Sequence, residues 1–394
     1  MPTKVKGTTG VDKVEAGAVI TNPEFSGNAT VTGTLTVNST ASINGSNIST
    51  QPSFRNRIIN GNMAIDQRNN GSSATANSNA YFVDRLQLQA SGSPPVLTGE
   101  RVTDAPNDFK YSMKFTTNAT TDTLTASEAV TPRQNIEGFN VADFNFGNAN
   151  AKEFTVSFWV KGSVTGTYGF CVMNAGFNRH YVTTYNINSA NTWEKKTITL
   201  TADTSGTWDA TTGVGVRIMF PIDTGPDMET TTTETWGTGD YRRTSSCVKL
   251  LQTSSATWQI TGLQVELGST ATPFENRMYG TELALCQRYY YKTKTTSASD
   301  RYAFFYPARV TSATQATVCA TYPTMRTSPS ITQANTGINI GPQGSTTAFS
   351  GGWVTPSSAW IDVTVSGVSM TTGQCVMLNA NNSASAYVAM DAEL

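Results

Sequence analysis

Apolar and polar residues alternate in short runs along most of this chain, which is the pattern of β-strands with one buried face. The clearest runs cover residues 154–162, 167–174, 180–187, 195–202, 213–222 and 256–267. They are rich in Val, Ile, Thr, Phe and Tyr, and Gly, Asn, Asp or Ser bounds them. Many short strands with turns between them predict an antiparallel β-sandwich rather than an α/β fold.

A second pattern, with a period of six residues, occupies residues 27–50, which read GNATVT GTLTVN STASIN GSNIST. Its apolar stripe consists of Val31, Leu35, Val37 and Ile43. A repeat this short cannot close its own core, so we expect other copies of the chain to bury the stripe. The pattern predicts a short β-shaft in a homotrimer. A disordered Ser/Thr/Asn/Gly linker is the alternative.

The polar segment before this shaft, residues 1–26, carries too few apolar residues to fold alone, and we expect it to order against a partner. Further along, the spacing of Leu283, Cys286 and Tyr290 predicts one short helix, with Thr281 as a possible cap. Strands resume at Arg288, which we expect to pair with a buried carbonyl or carboxylate. The predicted parts are therefore residues 1–26, 27–50, 51–278 and 279–394, with the helix at the junction of two β-sandwich domains.

Charge and composition restrict the possible partners. Charged residues make up 14% of the chain and the net charge is −1, so neither nucleic-acid binding nor attraction to an anionic membrane is expected. The sequence has no run of 18 apolar residues and no signal-peptide pattern at its start, and we expect no membrane insertion. The five cysteines have no C-x-x-C spacing. They are expected to be small core residues of a protein made in a reducing cytoplasm.

Catalytic chemistry has little support in the sequence. His180 is the single histidine, and no nucleophile or phosphate-binding motif accompanies it. The richest acidic stretch, residues 223–234, lies in a Thr-rich segment that is expected to be a solvated loop. We therefore expect no enzyme, with a surface-polysaccharide depolymerase as the alternative. No cofactor is expected, except that Glu266 is a candidate ligand for a structural calcium ion.

Several segments carry a resemblance to a known family. They are RNRIINGNMAIDQRNNG at residues 55–71, DRL from Asp84, FTVSFWVKG at residues 154–162, NTWEKKTITL at residues 191–200, WQITGLQVELGSTATPFENRMYGTELALCQRYYYK at residues 258–292, and PTMRTSP at residues 323–329. They resemble tail-fibre or receptor-binding proteins of tailed bacteriophages that carry a jelly-roll carbohydrate-binding-like module. The resemblance spans roughly residues 54–330.

This resemblance implies a virion protein made in the host cytoplasm. It implies attachment of residues 1–26 to a phage tail or capsid protein, and contact of the distal domains with a host cell-surface glycan or protein. A capsid-anchored fibre, or a spacer or decoration protein, is the alternative to a tail fibre.

The last domain contains residue types that suit a neutral sugar. Aromatic faces pack against the C–H side of a sugar ring, and short polar side chains bind its hydroxyls. The candidate glycan-binding residues are Trp353, Trp360, Tyr387, Asn379, Asn381 and Gln343. No Lys or Arg follows Arg326. Core or trimer contacts are the alternative role for these aromatic residues.

Overall fold

The computed structural model describes residues 41–43, 46–48, 54–76, 79–92, 94, 97–118, 124–294, 304–334, 338–340, 344–350, 352–380, 383 and 385–394. The chain divides into two units, Met1–Ser53 and Phe54–Leu394. In the first unit, β1 (Ala41–Ile43) and β2 (Ser46–Ile48) form an antiparallel pair with Ile43 opposite Ser46. Val31, Leu35, Val37 and the attachment segment 1–26 lie outside the described residues, so the trimeric shaft stays a prediction.

The second unit begins with an antiparallel sandwich. Its strands are β3 (Ala74–Ala76), β4 (Ala80–Val83), β5 (Leu86–Ser91), β6 (Leu97–Val102), β7 (Ser112–Thr117), β8 (Ala129–Glu137), β9 (Glu153–Gly162), β10 (Gly166–Met173), β11 (Arg179–Ile187), β12 (Glu194–Thr201), β13 (Val214–Met219), β14 (Asp223–Thr224), β15 (Trp236–Thr238) and β16 (Thr257–Leu267). Short 3-10 turns lie at Gly138–Asn140, Ala142–Phe144, Pro226–Met228 and Leu250–Gln252.

These strands form two sheets. Sheet I has the order β15-β11-β10-β13-β8-β5-β4, with β14 beside β8, and sheet II has the order β12-β9-β16-β7-β6-β3. Alternate residues of both sheets point into one core, because successive side chains of a strand face opposite sides. Phe158 of sheet II contacts Phe170 and Phe220 of the sheet I side at centroid distances of 6.4 and 5.0 Å. The predicted sandwich is therefore confirmed.

The remaining strands are β17 (Tyr290–Lys294), β18 (Phe304–Ser312), β19 (Gln315–Thr321), β20 (Ser330–Gln333), β21 (Ile338–Ile340), β22 (Gly344–Ser350), β23 (Ser358–Ser366), β24 (Cys375–Ala380) and β25 (Tyr387–Asp391). Six of them close into a barrel in the order β18-β19-β23-β22-β21-β24, and β17-β25-β20 form a separate three-stranded sheet. This second β region, predicted to be a sandwich, instead closes on itself as a barrel around Val318, Ile361, Val363 and Leu378. The all-β class of the chain is confirmed.

One helix, α1 (Tyr279–Gln287), stands between the sandwich and the barrel. Its N-cap is Met278 rather than Thr281, and no side chain caps it. The helix packs on a small cluster in which Ile59, Ile65, Cys286 and Tyr289 are buried. Leu394 at the end of the chain packs against the same cluster. The predicted location of the helix, between two β regions, is confirmed.

Two of the cysteines depart from the expectation that all are core residues. Cys171, Cys247 and Cys286 are buried, whereas Cys319 and Cys375 are exposed. Both exposed cysteines occupy outward positions of barrel strands, where alternation points every second side chain to solvent. In the described part of the chain, no helix is long and apolar enough to span a membrane.

Candidate functional site

Two exposed tryptophans lie side by side on the barrel. The backbone N–H of Trp360 donates to the carbonyl of Trp353 at 2.8 Å, and Val354 bridges Ala359 in the next position. Residues opposite each other in an antiparallel pair point to the same face, so both indoles share one face. Trp353 is 81% exposed and Trp360 is 57% exposed. We call these two residues the tryptophan pair.

Strand alternation explains why Trp360 faces outward. Along β23, Ala359, Ile361 and Val363 are buried in the barrel core, while Trp360 and Asp362 are exposed. Gly352 lets the preceding segment approach β23, because a Cβ there would lie 1.7 Å from the carbonyl oxygen of Trp360. The pair is therefore a product of backbone geometry rather than of a mobile loop.

The turn between the two tryptophans is fixed from the barrel side by Tyr322. Its hydroxyl lies within hydrogen-bond distance of two carbonyl oxygens, that of Thr355 at 2.8 Å and that of Ser358 at 3.0 Å. The hydroxyl is the donor and both carbonyls are acceptors. Burial raises the pKa of Tyr322 to about 12, which keeps the hydroxyl protonated as a donor. The N–H of Thr355 also donates to the carbonyl of Ser358 at 2.9 Å. The indoles consequently project from a rigid turn.

Polar groups flank the pair on the neighbouring strands. Cys319 lies opposite Trp360, and Thr317 lies opposite Asp362, to which its hydroxyl donates at 2.8 Å. The last cation of the chain, Arg326, is engaged elsewhere, with the carbonyls of Ala392 and Glu393 at 2.6 and 2.7 Å. An apolar aromatic platform with hydroxyl and carboxylate groups beside it can hold a hydroxylated ring without ionic attraction.

The other predicted glycan-binding residues are not assembled around the tryptophan pair. Asn379 is in β24, which lies across the barrel ring from β23, and its amide donates weakly to the carbonyl of Met377 at 3.4 Å. Tyr387 is in the three-stranded sheet, and its ring lies 4.2 Å from the ammonium of Lys292. Asn381 and Gln343 lie outside the described residues.

Glu266, the calcium candidate, is buried at the end of β16. Its carboxylate accepts hydrogen bonds from the amide of Gln264 at 2.7 Å and from the N–H and hydroxyl of Thr272 at 2.9 and 2.6 Å. Arg55 approaches it at 3.5 Å. Across the described ranges, no group of three or more His, Cys, Asp or Glu side chains is placed to hold a metal ion.

The groups considered for catalysis have structural partners. His180 is buried, its Nδ1 lies 3.0 Å from the carbonyl of Gly239, and burial lowers its pKa. The acidic stretch is only partly the solvated loop that was expected: Asp227 and Glu234 are exposed, whereas Asp223 and Glu229 both lie 3.1 Å from the buried guanidinium of Arg243. A fully buried cation requires such partners, and it draws these carboxylates inward.

Sequence reasoning missed a cleft of about 430 Å³ beside sheet II. Its walls include Arg101, Phe109, Tyr111, Asn276 and Tyr279. The guanidinium of Arg101 lies 4.3 Å from the centre of the Tyr111 ring, so these two groups already form a cation–π contact with each other. The lining residues come from residues 62–64, 101–111 and 276–279, and no spacing in the sequence connects these segments.

No protein-family model and no curated protein matches the chain. Similar solved structures include the enzymatically active domain of bacteriophage CBA120 tailspike protein 4, at 16% identity and a TM-score of 0.30, covering 54% of this chain. The match covers only 21% of that tailspike chain. A putative sugar binding protein from Bacteroides thetaiotaomicron matches at 10% identity and a TM-score of 0.31, covering 54% of this chain and all of the other (100%). The CBM22-1 xylan-binding domain from Paenibacillus barcinonensis Xyn10C matches at 11% identity and a TM-score of 0.24, covering 51% and 97%. At these identities the likeness concerns the fold alone.

Proposed function

We propose that this chain is a non-enzymatic virion fibre protein of a bacteriophage. Residues 1–26 attach it to a tail or capsid protein, and its distal β domains bind a receptor, a glycan, on the host surface. The observation that carries the proposal is the tryptophan pair, with 81% and 57% of the two side chains exposed on a turn fixed by Tyr322. Exposing two large aromatic side chains together costs solvation free energy, which a binding partner recovers.

Weak binding at each copy suits such a fibre. One aromatic platform gives modest affinity for a sugar, and several copies on one particle raise the effective concentration of binding sites. A homotrimer formed through residues 27–50 supplies this multivalency. The sequence resemblance of residues 54–330 to phage receptor-binding proteins supports the assignment to the virion.

The test is adsorption to host cells by the full-length chain carrying Trp353→Ala and Trp360→Ala. Truncation of an aromatic residue that stacks on a ligand typically costs roughly 1–3 kcal/mol per site, so we expect a large loss of adsorption. Phe139→Ala is the matched control, because Phe139 is an aromatic residue of the sandwich with 59% exposure. The melting temperatures of all variants must stay near the wild-type value.

Two other outcomes would contradict a receptor site at the tryptophan pair. Normal adsorption of the double variant, together with a loss in Phe139→Ala, would place the receptor site on the sandwich. Release of reducing ends from host surface polysaccharide by the wild-type chain would instead favour the depolymerase. Labelling of the N-terminus in intact particles distinguishes a tail fibre from a capsid-anchored fibre or a decoration protein.

A further inference from the structure

Three arginines meet on the outer face of sheet I, away from the core of the sandwich. The guanidinium carbons of Arg133, Arg217 and Arg242 lie 5.6, 4.0 and 5.4 Å from the centre of the Phe177 ring. We call these three residues the arginine cluster. Arg133 and Arg217 belong to the neighbouring strands β8 and β13, and Phe177 comes from the turn between β10 and β11.

The charges of this cluster are not balanced within the described residues. Arg242 donates two hydrogen bonds to Asp240, at 2.7 and 2.8 Å. In the described part of the chain, the hydrogen-bond partners of the other two are neutral: Arg133 donates to the side-chain oxygen of Gln87 at 2.8 Å, and Arg217 donates to the backbone carbonyl of Asn174 at 2.6 Å. Among the described residues, these three guanidiniums are therefore matched by one carboxylate, that of Asp240, which is bonded to Arg242.

Burial makes this imbalance costly. Arg133 is 6%, Arg217 is 8% and Arg242 is 2% exposed. The Nη1 of Arg133 and the Nε of Arg217 are buried and have no hydrogen-bond acceptor within the ranges that the structure describes. Burial, with the neighbouring guanidiniums, lowers the pKa of Arg133 to about 9 and that of Arg217 to about 10. An uncompensated buried charge destabilises a fold unless an ion of opposite sign joins it.

The ring of Phe177 lies against all three guanidiniums of the cluster. The residue has a positive φ of 53° and is half-buried. Asn174 holds its turn, because the Asn174 side-chain oxygen accepts from the N–H groups of Asn178 and Arg179 at 3.1 and 3.2 Å. A ligand that reaches the guanidiniums must displace the Phe177 side chain, which lies against all three.

We propose that the arginine cluster binds the carboxylate of an acidic sugar residue, with the Phe177 ring against the face of that sugar. A planar guanidinium fork matches a carboxylate, and the buried Nη1 of Arg133 and Nε of Arg217 have no acceptor among the described residues. The aromatic ring beside the charge favours an anion that is carried on a ring over a free ion. This inference rests on the proposed recognition of glycans by this chain, but it does not involve Trp353 or Trp360.

The experiment is calorimetric titration of the full-length chain with an oligosaccharide of glucuronic acid. The same oligosaccharide with its carboxyl groups reduced to alcohols, and inorganic phosphate, are titrated at equal ionic strength. We expect binding of the acidic oligosaccharide alone, and a loss of at least about tenfold in affinity in Arg133→Gln. Arg309→Gln is the matched control, since it removes the same charge from an exposed position of the barrel.

Thermal unfolding without ligand separates binding from packing. Because Arg133→Gln removes a cation from a repulsive cluster, we expect its melting temperature to equal or exceed that of the wild type. A structural arginine would instead lower it, which would contradict the inference. Arg217→Gln repeats both measurements on the neighbouring strand, so the conclusion does not depend on one variant.

Three binding results would also overturn the inference. They are equal binding of the acidic and reduced oligosaccharides, unchanged affinity in Arg133→Gln, and phosphate binding as tight as that of the acidic oligosaccharide. Failure here is distinguishable from failure of the proposed function. The adsorption of the tryptophan variants tests the barrel surface, whereas these titrations follow Arg133 on the sandwich.

Discussion

Arg288 donates two hydrogen bonds to the carboxylate of Glu137, at 2.9 and 2.5 Å. The hydroxyl of Tyr289 donates to the same carboxylate at 2.6 Å. Glu137 ends β8 in the sandwich and is 1% exposed, while Arg288 follows α1 at the entry to the barrel. The expectation that Arg288 pairs with a buried carboxylate is confirmed, although its partner lies 151 residues away in sequence.

This pair is expected to be a main tie between the sandwich and the barrel. Arg288→Ala removes the guanidinium from the buried Glu137 carboxylate and leaves the Tyr289 hydroxyl as its donor from this pair of residues. We expect the free energy of unfolding to fall by roughly 2–4 kcal/mol. This loss is smaller than that of a fully buried pair, because about a third of the Arg288 side chain is exposed to solvent. Denaturant unfolding of the full-length chain measures this loss.

Lys114→Ala serves as the control for that measurement. Lys114 pairs with Glu100 on the surface of sheet II, where the two side chains are 27% and 31% exposed. Exposed pairs contribute about 0–1 kcal/mol, so this variant should unfold near the wild-type midpoint. Equal effects of the two substitutions would show that the Arg288 pair is no more important than a surface pair.

Asp84 is expected to make stability depend on pH. It is buried, accepts a hydrogen bond from the amide of Gln67 at 2.6 Å, and burial raises its pKa to about 7. Between the usual Asp pKa of about 3.9 and pH 7, Asp84 is therefore protonated in the folded chain and ionised in the unfolded chain. The contribution of Asp84 to stability falls as the pH rises from about 4 to about 7.

Asp84→Asn removes this titration. Its melting temperature should rise relative to that of the wild type as the pH increases from 4 to 7, and the difference should level off above 7. Asp209→Asn is the control, because hydrogen bonds from Thr211 hold the pKa of Asp209 below its usual value. A constant difference between Asp84→Asn and the wild type across this range would contradict the assignment.

Assembly should depend on the hexapeptide repeat. Leu35→Asp with Val37→Asp places charges in the stripe that we expect three chains to bury, where unpaired carboxylates are unfavourable. Native mass measurement should show trimers of the wild type and monomers of the variant. Thr34→Asp and Thr36→Asp, at the polar positions between, should keep the trimer. A stable wild-type monomer would exclude the shaft.

The strands of the sandwich were predictable because each buries one face. The predicted runs at 154–162 and 180–187 correspond to Glu153–Gly162 and Arg179–Ile187. The run at 213–222 is longer than β13 because Phe220 and Ile222 continue the apolar pattern beyond the pairing with β10. Alternation of apolar and polar residues predicts which side chains are buried, and here the buried side chains continue past the end of the strand.

Tertiary pairing limited the remaining predictions. Strands β21 and β22 are short or rich in Gly and Ser, and only closure of the barrel gives them partners, while the four-residue β20 has its partner in β25 of the three-stranded sheet. The tryptophan pair was identified from composition, since loop aromatics are conspicuous. The arginine cluster was missed because Arg133, Arg217 and Arg242 read as single charges in strands and loops, and only the sheet register brings them together.

The turn that carries the tryptophan pair should be needed for adsorption even where no receptor contact is removed. Tyr322→Phe deletes the hydroxyl that donates to the carbonyls of Thr355 and Ser358. The lost hydrogen bond is expected to cost about 0.5–1.5 kcal/mol of stability. Because the turn sets the positions of both indoles, we also expect a several-fold loss of adsorption to host cells.

Tyr306→Phe is the matched control for this prediction. Tyr306 is a buried tyrosine of the same barrel, and its hydroxyl lies 3.2 Å from that of Thr293 rather than at the Thr355–Ser358 turn. A similar loss of stability without a loss of adsorption is expected for it. If Tyr322→Phe adsorbs like Tyr306→Phe while the double tryptophan variant does not, the receptor tolerates a loose turn, and preorganisation by Tyr322 is not part of recognition.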